Sequence, residues 1–186
     1  APGGSWGMIG TTTSTSYTDK KGMTGGVSYY YTVRAYKGNV TTAKKHKYIA
    51  QYWSGYDAEG KQGRYIATPN LKEAEATPEG RKLSWGSVSG ATGYAVYRKV
   101  SGGDWAMFDT TTGTTYTDGA KLSAGKTYYY TVRAYVGDVE TAKANRYESA
   151  YWGHYEEDGL KTVYLDTPAL KGITTATSSL KVSWSK

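Results

Sequence analysis

The chain of 186 residues carries no cysteine, 23 Lys and Arg against 16 Asp and Glu, and 20 Tyr against a single Phe. The missing cysteine rules out a disulfide framework and thiolate metal or redox centres, and no stretch approaches the roughly 18 apolar residues of a membrane span. Abundant Tyr, Thr and Gly favour strands and turns over helices.

From the amino end, APGGSW shows no signal-peptide pattern. The first strong signal is GVSYYYTVRAYKGN at 26–39, which returns as GKTYYYTVRAYVGD at 125–138. The same offset of 99 residues aligns GGSWGMIGTTTSTSYTD with GGDWAMFDTTTGTTYTD, and YWSGYDAEGKQGRYIATPNLK with YWGHYEEDGLKTVYLDTPALK, with no gap. All six tryptophans pair at it: Trp6 with Trp105, Trp53 with Trp152, Trp85 with Trp184. A period of this length suits a small domain in tandem rather than a solenoid. Residues 1–68 are therefore read as the later part of a repeat whose opening strands are absent. Residues 69–167 form a complete repeat, and 168–186 are the opening strands of a further one, able to complete another partial repeat. VSGATGYAVYRK at 88–99 has no counterpart in either flanking piece.

Along the complete copy, alternation of period two recurs between turn signals, as in half-buried antiparallel strands. RKLSW puts Leu83 and Trp85 on one face. GYAVYRK puts Tyr94 and Val96 inward and leaves Ala95 and Tyr97 outward. Gly102 and Gly103 make a hairpin turn before WAMFDTTT, and TTYTDGA ends at the tight reversal Asp118–Gly119. In TYYYTVRAY, Tyr128, Tyr130, Val132 and Ala134 share the core face, while Tyr129, Thr131, Arg133 and Tyr135 share the other. Then comes GDVETAKANRYESAYWGHYEED, where a short turn would ordinarily suffice before the last strand, LKTVYLDTP. Both copies have this insertion, with Tyr48, Tyr52, Trp53 and Tyr56 matched by Tyr147, Tyr151, Trp152 and Tyr155. Spacings of four suit a helix stripe, although Tyr52 and Tyr56 also alternate as in a strand. The segment is read as a helical turn and a long hairpin closing at Asp158 and Gly159.

The order LSW, SGATGYAVYRK, TTYTD, then Leu122, Gly125 and Tyr128 ahead of Val132 and Ala134, resembles the fibronectin type III domain, especially tandem versions in secreted or cell-surface bacterial proteins. The resemblance covers nearly all of 69–167 and extends to both fragments through the repeat. It implies an all-β fold, an immunoglobulin-like sandwich of seven strands in tandem, interrupted before the last strand by the aromatic insertion. It further implies that Trp85 is the core tryptophan of the second strand and that Tyr128 is the tyrosine-corner residue bonding back upstream, with Tyr29 its twin.

Catalysis needs positioned acids, bases or nucleophiles, and these are poorly represented. His46 aligns with Asn145 and His154 with Gly55, and no GxSxG elbow occurs. Asp57 and Glu59 match Glu156 and Asp158, an acidic pattern that a weak calcium site or plain turn chemistry could each explain, and no EF-hand ladder of oxygen ligands follows. No enzyme activity, cofactor or metal site is expected. The charge is unevenly placed: residues 1–68 carry 9 basic and 3 acidic groups, 69–167 carry 11 and 13, and 168–186 carry 3 and none. A slightly acidic complete copy argues against a continuous basic track for nucleic acid.

The candidate binding surface is the insertion, with Tyr52, Trp53 and Tyr56 in one copy and Tyr151, Trp152 and Tyr155 in the other. Flat rings stack on sugars, so cell-wall or other polysaccharide is one expected partner; the competing expectation is that the rings pack on the sandwich or on neighbouring domains of the same polypeptide. The expected function is a structural spacer or stalk outside a bacterial cell. The alternatives are a carbohydrate-binding or adhesion module, without an RGD tripeptide, and a self-assembling homo-oligomer whose incomplete terminal repeats complement one another's strands.

Overall fold

The structure, a computed structural model, describes residues 4–47, 49–119, 122–146 and 148–185. It is mostly β, with several small antiparallel sheets and two short helices. In chain order these are β1 (Ser28–Tyr31), α1 (Val40–Lys45), β2 (Lys61–Arg64), β3 (Glu75–Thr77), β4 (Gly80–Ser84), β5 (Gly93–Val100), β6 (Ala106–Thr111), β7 (Thr115–Asp118), β8 (Thr127–Tyr135), α2 (Val139–Ala144), β9 (Leu160–Val163), β10 (Leu170–Ala176) and β11 (Ser179–Trp184). Among the described residues no helix is long and apolar enough to cross a membrane. The chain divides into two compact units. One holds the chain up to Thr68 with Val88–Thr92 and Ala134–His154; the other holds Pro69–Ser87, Gly93–Arg133 and the chain from Tyr155 onward.

In the second unit, besides the β10-β11 hairpin, two sheets form, in the orders β3-β4-β7 and β6-β5-β8-β9. The alternation on β4 and β8 falls as the sequence predicts: Leu83 and Trp85 are buried, and so are Tyr128, Tyr130 and Val132. Rings join the two sheets. Trp85 meets Tyr94 of β5 edge-on at 5.4 Å, and Phe108 of β6 meets Tyr116 of β7 at 5.4 Å and Tyr130 at 6.5 Å. The Arg81 side chain, on the Leu83 face, donates to the Val163 carbonyl (2.9 Å) and lies over the Tyr164 ring. The Tyr128 hydroxyl accepts from the Ser123 N–H (2.9 Å), as Tyr29 does from Thr24 (2.8 Å).

Three expectations are corrected. Ala95 is not outward; it is fully buried, as is Thr131 on β8. Both strands are central in their sheet, and Tyr155, near the end of the insertion, lies on their second face with its ring stacked on Tyr97 at 6.4 Å. The helix of the insertion lies upstream of the tyrosine series instead of carrying it, because Asn39 and Asp138 are N-caps whose carboxamide or carboxylate oxygen accepts from the N–H groups two and three residues on. Tyr48 and Tyr147 lie outside the described residues. Finally, the chain does turn at Asp158–Gly159, with Gly159 at φ +67, but among the described residues the arms form no ladder with each other. β9 pairs back with β8, Tyr130 opposite Leu160, and the arm before the turn meets the far end of β8 through a Tyr135–Trp152 bridge.

The twice-written motif does not fold identically. β8 spans nine residues, whereas β1 covers only Ser28–Tyr31, paired with β2 alone. β8 has β5 on its other side, and among the described residues no second strand flanks β1. Val132 is 1% exposed and its twin Val33 is 84% exposed. The β10–β11 hairpin likewise repeats the β3–β4 register, with Leu170 opposite Trp184 as Leu71 bridges Trp85, yet Trp184 is 59% exposed against 3% for Trp85.

Candidate functional site

The insertion is built the same way in each copy. A capped six-residue helix ends at His46 or Asn145, the chain turns back, and a tryptophan closes onto the helix: Trp53 Nε1 donates to Ala43 O (2.8 Å), and Trp152 Nε1 to Ala142 O (2.7 Å). Each indole also packs on the tyrosine ending the YYYTVRAY motif, Tyr36–Trp53 at 5.8 Å and Tyr135–Trp152 at 5.7 Å. A helix this short is marginal alone. Its cap and the indole bond to its last turn define it from side chains within the insertion.

The structure engages five of the six predicted rings with partners outside the set. Tyr52 stacks on His46 at 4.7 Å, and Tyr56 lies under the Arg34 guanidinium at 5.0 Å. Trp53 and Trp152 take Tyr36 and Tyr135 as above, and Tyr155 takes Tyr97 together with Arg133 at 5.7 Å. Tyr151 is half-buried, its carbonyl accepting from Val136 N–H (2.9 Å). Trp152 is buried and Tyr56 is exposed. A stacking platform for a sugar requires an open face, which Tyr56 has and Trp152 lacks. Asp57 Oδ1 accepts from the N–H groups of Glu59 (3.1 Å) and Gly60 (3.2 Å), which is turn chemistry. Among the described residues no group of three or more His, Asp or Glu side chains is placed to hold a metal ion.

One buried polar group escaped the sequence reading. Asp118 Oδ2 accepts from Arg98 Nη1 (2.7 Å) and from the Tyr130 hydroxyl (2.7 Å). Its signal was the parity of β5: Arg98 continues the inward series of Tyr94 and Val96, and an inward guanidinium requires a carboxylate. Burial, then the bond to Asp118, raises the Tyr130 phenol far above its usual range; burial and the Asp109 carboxylate at 2.6 Å push Tyr116 up to about 12.

These shifts give an alkaline instability. In the unfolded chain both phenols release protons near pH 10, while the native state keeps them, so the unfolded state binds fewer protons and stability falls as pH rises beyond 10. Each such phenol contributes a slope of at most about 1.4 kcal/mol per pH unit. Urea midpoints measured from pH 8 to 11 should drop beyond 10, and less steeply in Tyr130→Phe. A flat profile would contradict the burial of Tyr130.

No protein-family model and no curated protein matches this sequence.

Proposed function

We propose that the chain is a structural spacer: fibronectin type III-like sandwich modules in tandem, non-catalytic, belonging to an extracellular or cell-surface bacterial protein. The three-plus-four strand orders, the packed Trp85 and the bond to the Tyr128 hydroxyl all agree with that fold. Fold alone assigns no role. The observation that carries the spacer reading is the insertion, the one aromatic-rich surface candidate, whose indoles close onto their own helices in both copies instead of facing outward as a platform.

The polysaccharide-binding reading draws on Tyr56, exposed beneath Arg34. Calorimetric titration against wall and plant polysaccharides is expected to give no heat. A heat that disappears in Tyr56→Ala or Tyr155→Ala, with folding intact, would replace the spacer by a binding module.

A third reading, strand complementation between copies, draws on the apolar face of β10–β11, where Leu180, Val182 and Trp184 are exposed. Its β3–β4 equivalent pairs with β7. The same register would set Val182 against Tyr17 of a second molecule. Sedimentation as a monomer at all concentrations eliminates it.

A further inference from the structure

The two insertions share their internal bonds, but one position differs with what lies against it. Residue 54 is serine, whose hydroxyl donates to Gly55 O (2.7 Å) and accepts from Ala35 N–H (2.9 Å). Its equivalent, 153, is glycine. A Cβ at 153 would stand 2.8 Å from Ile66 O, 2.9 Å from Ile66 Cγ2 and 3.2 Å from Ala67 O, closer than packed carbon allows. Here the end of the first copy is pressed onto the insertion of the complete one, within the first compact unit.

Other contacts in that unit repeat the pattern. A Cβ at Gly90 would meet Gly26 Cα at 2.6 Å, one at Gly25 would meet the Ser89 Cβ at 3.4 Å, and one at Gly63 would meet Ser149 Oγ at 3.4 Å. The loop Val88–Thr92 is held on the side of the insertion: Thr92 N–H and hydroxyl donate to Tyr135 O and Gly137 O. The receiving residues have twins in the complete copy with the opposite surroundings. Ile66 is 3% exposed and Leu165 is 69% exposed; Gly26 is enclosed, and nothing lies within 4 Å of a Cβ at Gly125.

We infer that the Val88–Thr92 loop and the aromatic insertion of a repeat together form a socket for the end of the preceding repeat, which enters with its Gly25–Gly26 turn and Ile66–Ala67. This rests on the spacer reading and deepens it, giving the insertion a partner: a copy of the same module. Gly153 sets the specificity. Serine is accommodated at 54, which is exposed, and excludes Ile66 at 153.

Hydrogen exchange on the full chain tests the socket. In Gly153→Ser, amides of 63–67 should exchange at least roughly tenfold faster, with β4, β5 and β8 still protected. Ile66→Ala, which leaves the complete repeat untouched, should accelerate exchange at 148–153, whereas Leu165→Ala should change neither segment. Unaltered exchange at 63–67 in the first variant, or at 148–153 in the second, overturns the socket and leaves the spacer standing. The spacer itself fails on a polysaccharide heat, which these variants do not address.

Discussion

Val132→Asp should abolish cooperative folding of the complete repeat, while Val33→Asp, the same change in the same octapeptide, should alter stability by no more than about 0.5 kcal/mol. Val132 stands at 1% exposure in the middle of β8, between Tyr130 and Ala134 on the core face, where a carboxylate is cut off from water. Burying an unpaired polar or charged group costs several kcal/mol, and a domain has about 5–15 kcal/mol in all. Val33 is 84% exposed and outside any strand. Near-UV circular dichroism and urea titration of the two variants read the difference directly. Equal losses would mean that the two octapeptides share one environment, and the short β1 would have to be abandoned.

That contrast shows where sequence reasoning stops. The parity of β4 and β8 was legible because Leu83 and Trp85, and Tyr128, Tyr130 and Val132, recur at every second position, and their burial follows from it. The second face was not legible. Ala95 and Thr131 are buried on the face where Tyr155, from further along the chain, stacks on Tyr97, and nothing at 95 or 131 announces it. Strand length was hidden for the same reason: three residues of YYYTVRAY are strand in one copy and all eight in the other, according to their neighbours, and local propensity is identical. The helix start could have been read, since Asn39 and Asp138 each precede a run with Val, Thr, Ala and Lys. The spacing of the tyrosines drew the helix downstream instead. In the candidate site, the aromatic stock was evident but not its direction. Periodicity cannot distinguish an indole aimed at solvent from one whose Nε1 reaches a carbonyl ten residues upstream.

Asp118→Ala should destabilise the complete repeat by about 3–5 kcal/mol, the usual cost of removing one partner of a buried ion pair. The carboxylate has no exposed side-chain surface and receives Arg98 from β5 and Tyr130 from β8, so it ties β7 to the opposite sheet at two points. Its loss leaves a half-buried guanidinium and a buried phenol without that acceptor, and the phenol cannot turn to water. Asp118→Asn keeps the shape and one acceptor oxygen and should fall between. The twin supplies the control: Asp19 accepts only from Tyr31 among these groups, at 3.2 Å, and the strand that carries Arg98 has no counterpart there. Asp19→Ala should therefore cost less than about 1 kcal/mol, as exposed pairs do. Replacing both charges, Arg98→Met with Asp118→Leu, should recover much of the single-mutant loss, because apolar contacts substitute for a pair that had to be desolvated. Guanidinium unfolding of the four variants measures these differences. If Asp118→Ala proves no costlier than Asp19→Ala, the two sheets are held by the remaining contacts, the rings of Trp85, Tyr94, Phe108, Tyr116 and Tyr130 and the Arg81 bond to Val163, and the inward arginine is only tolerated.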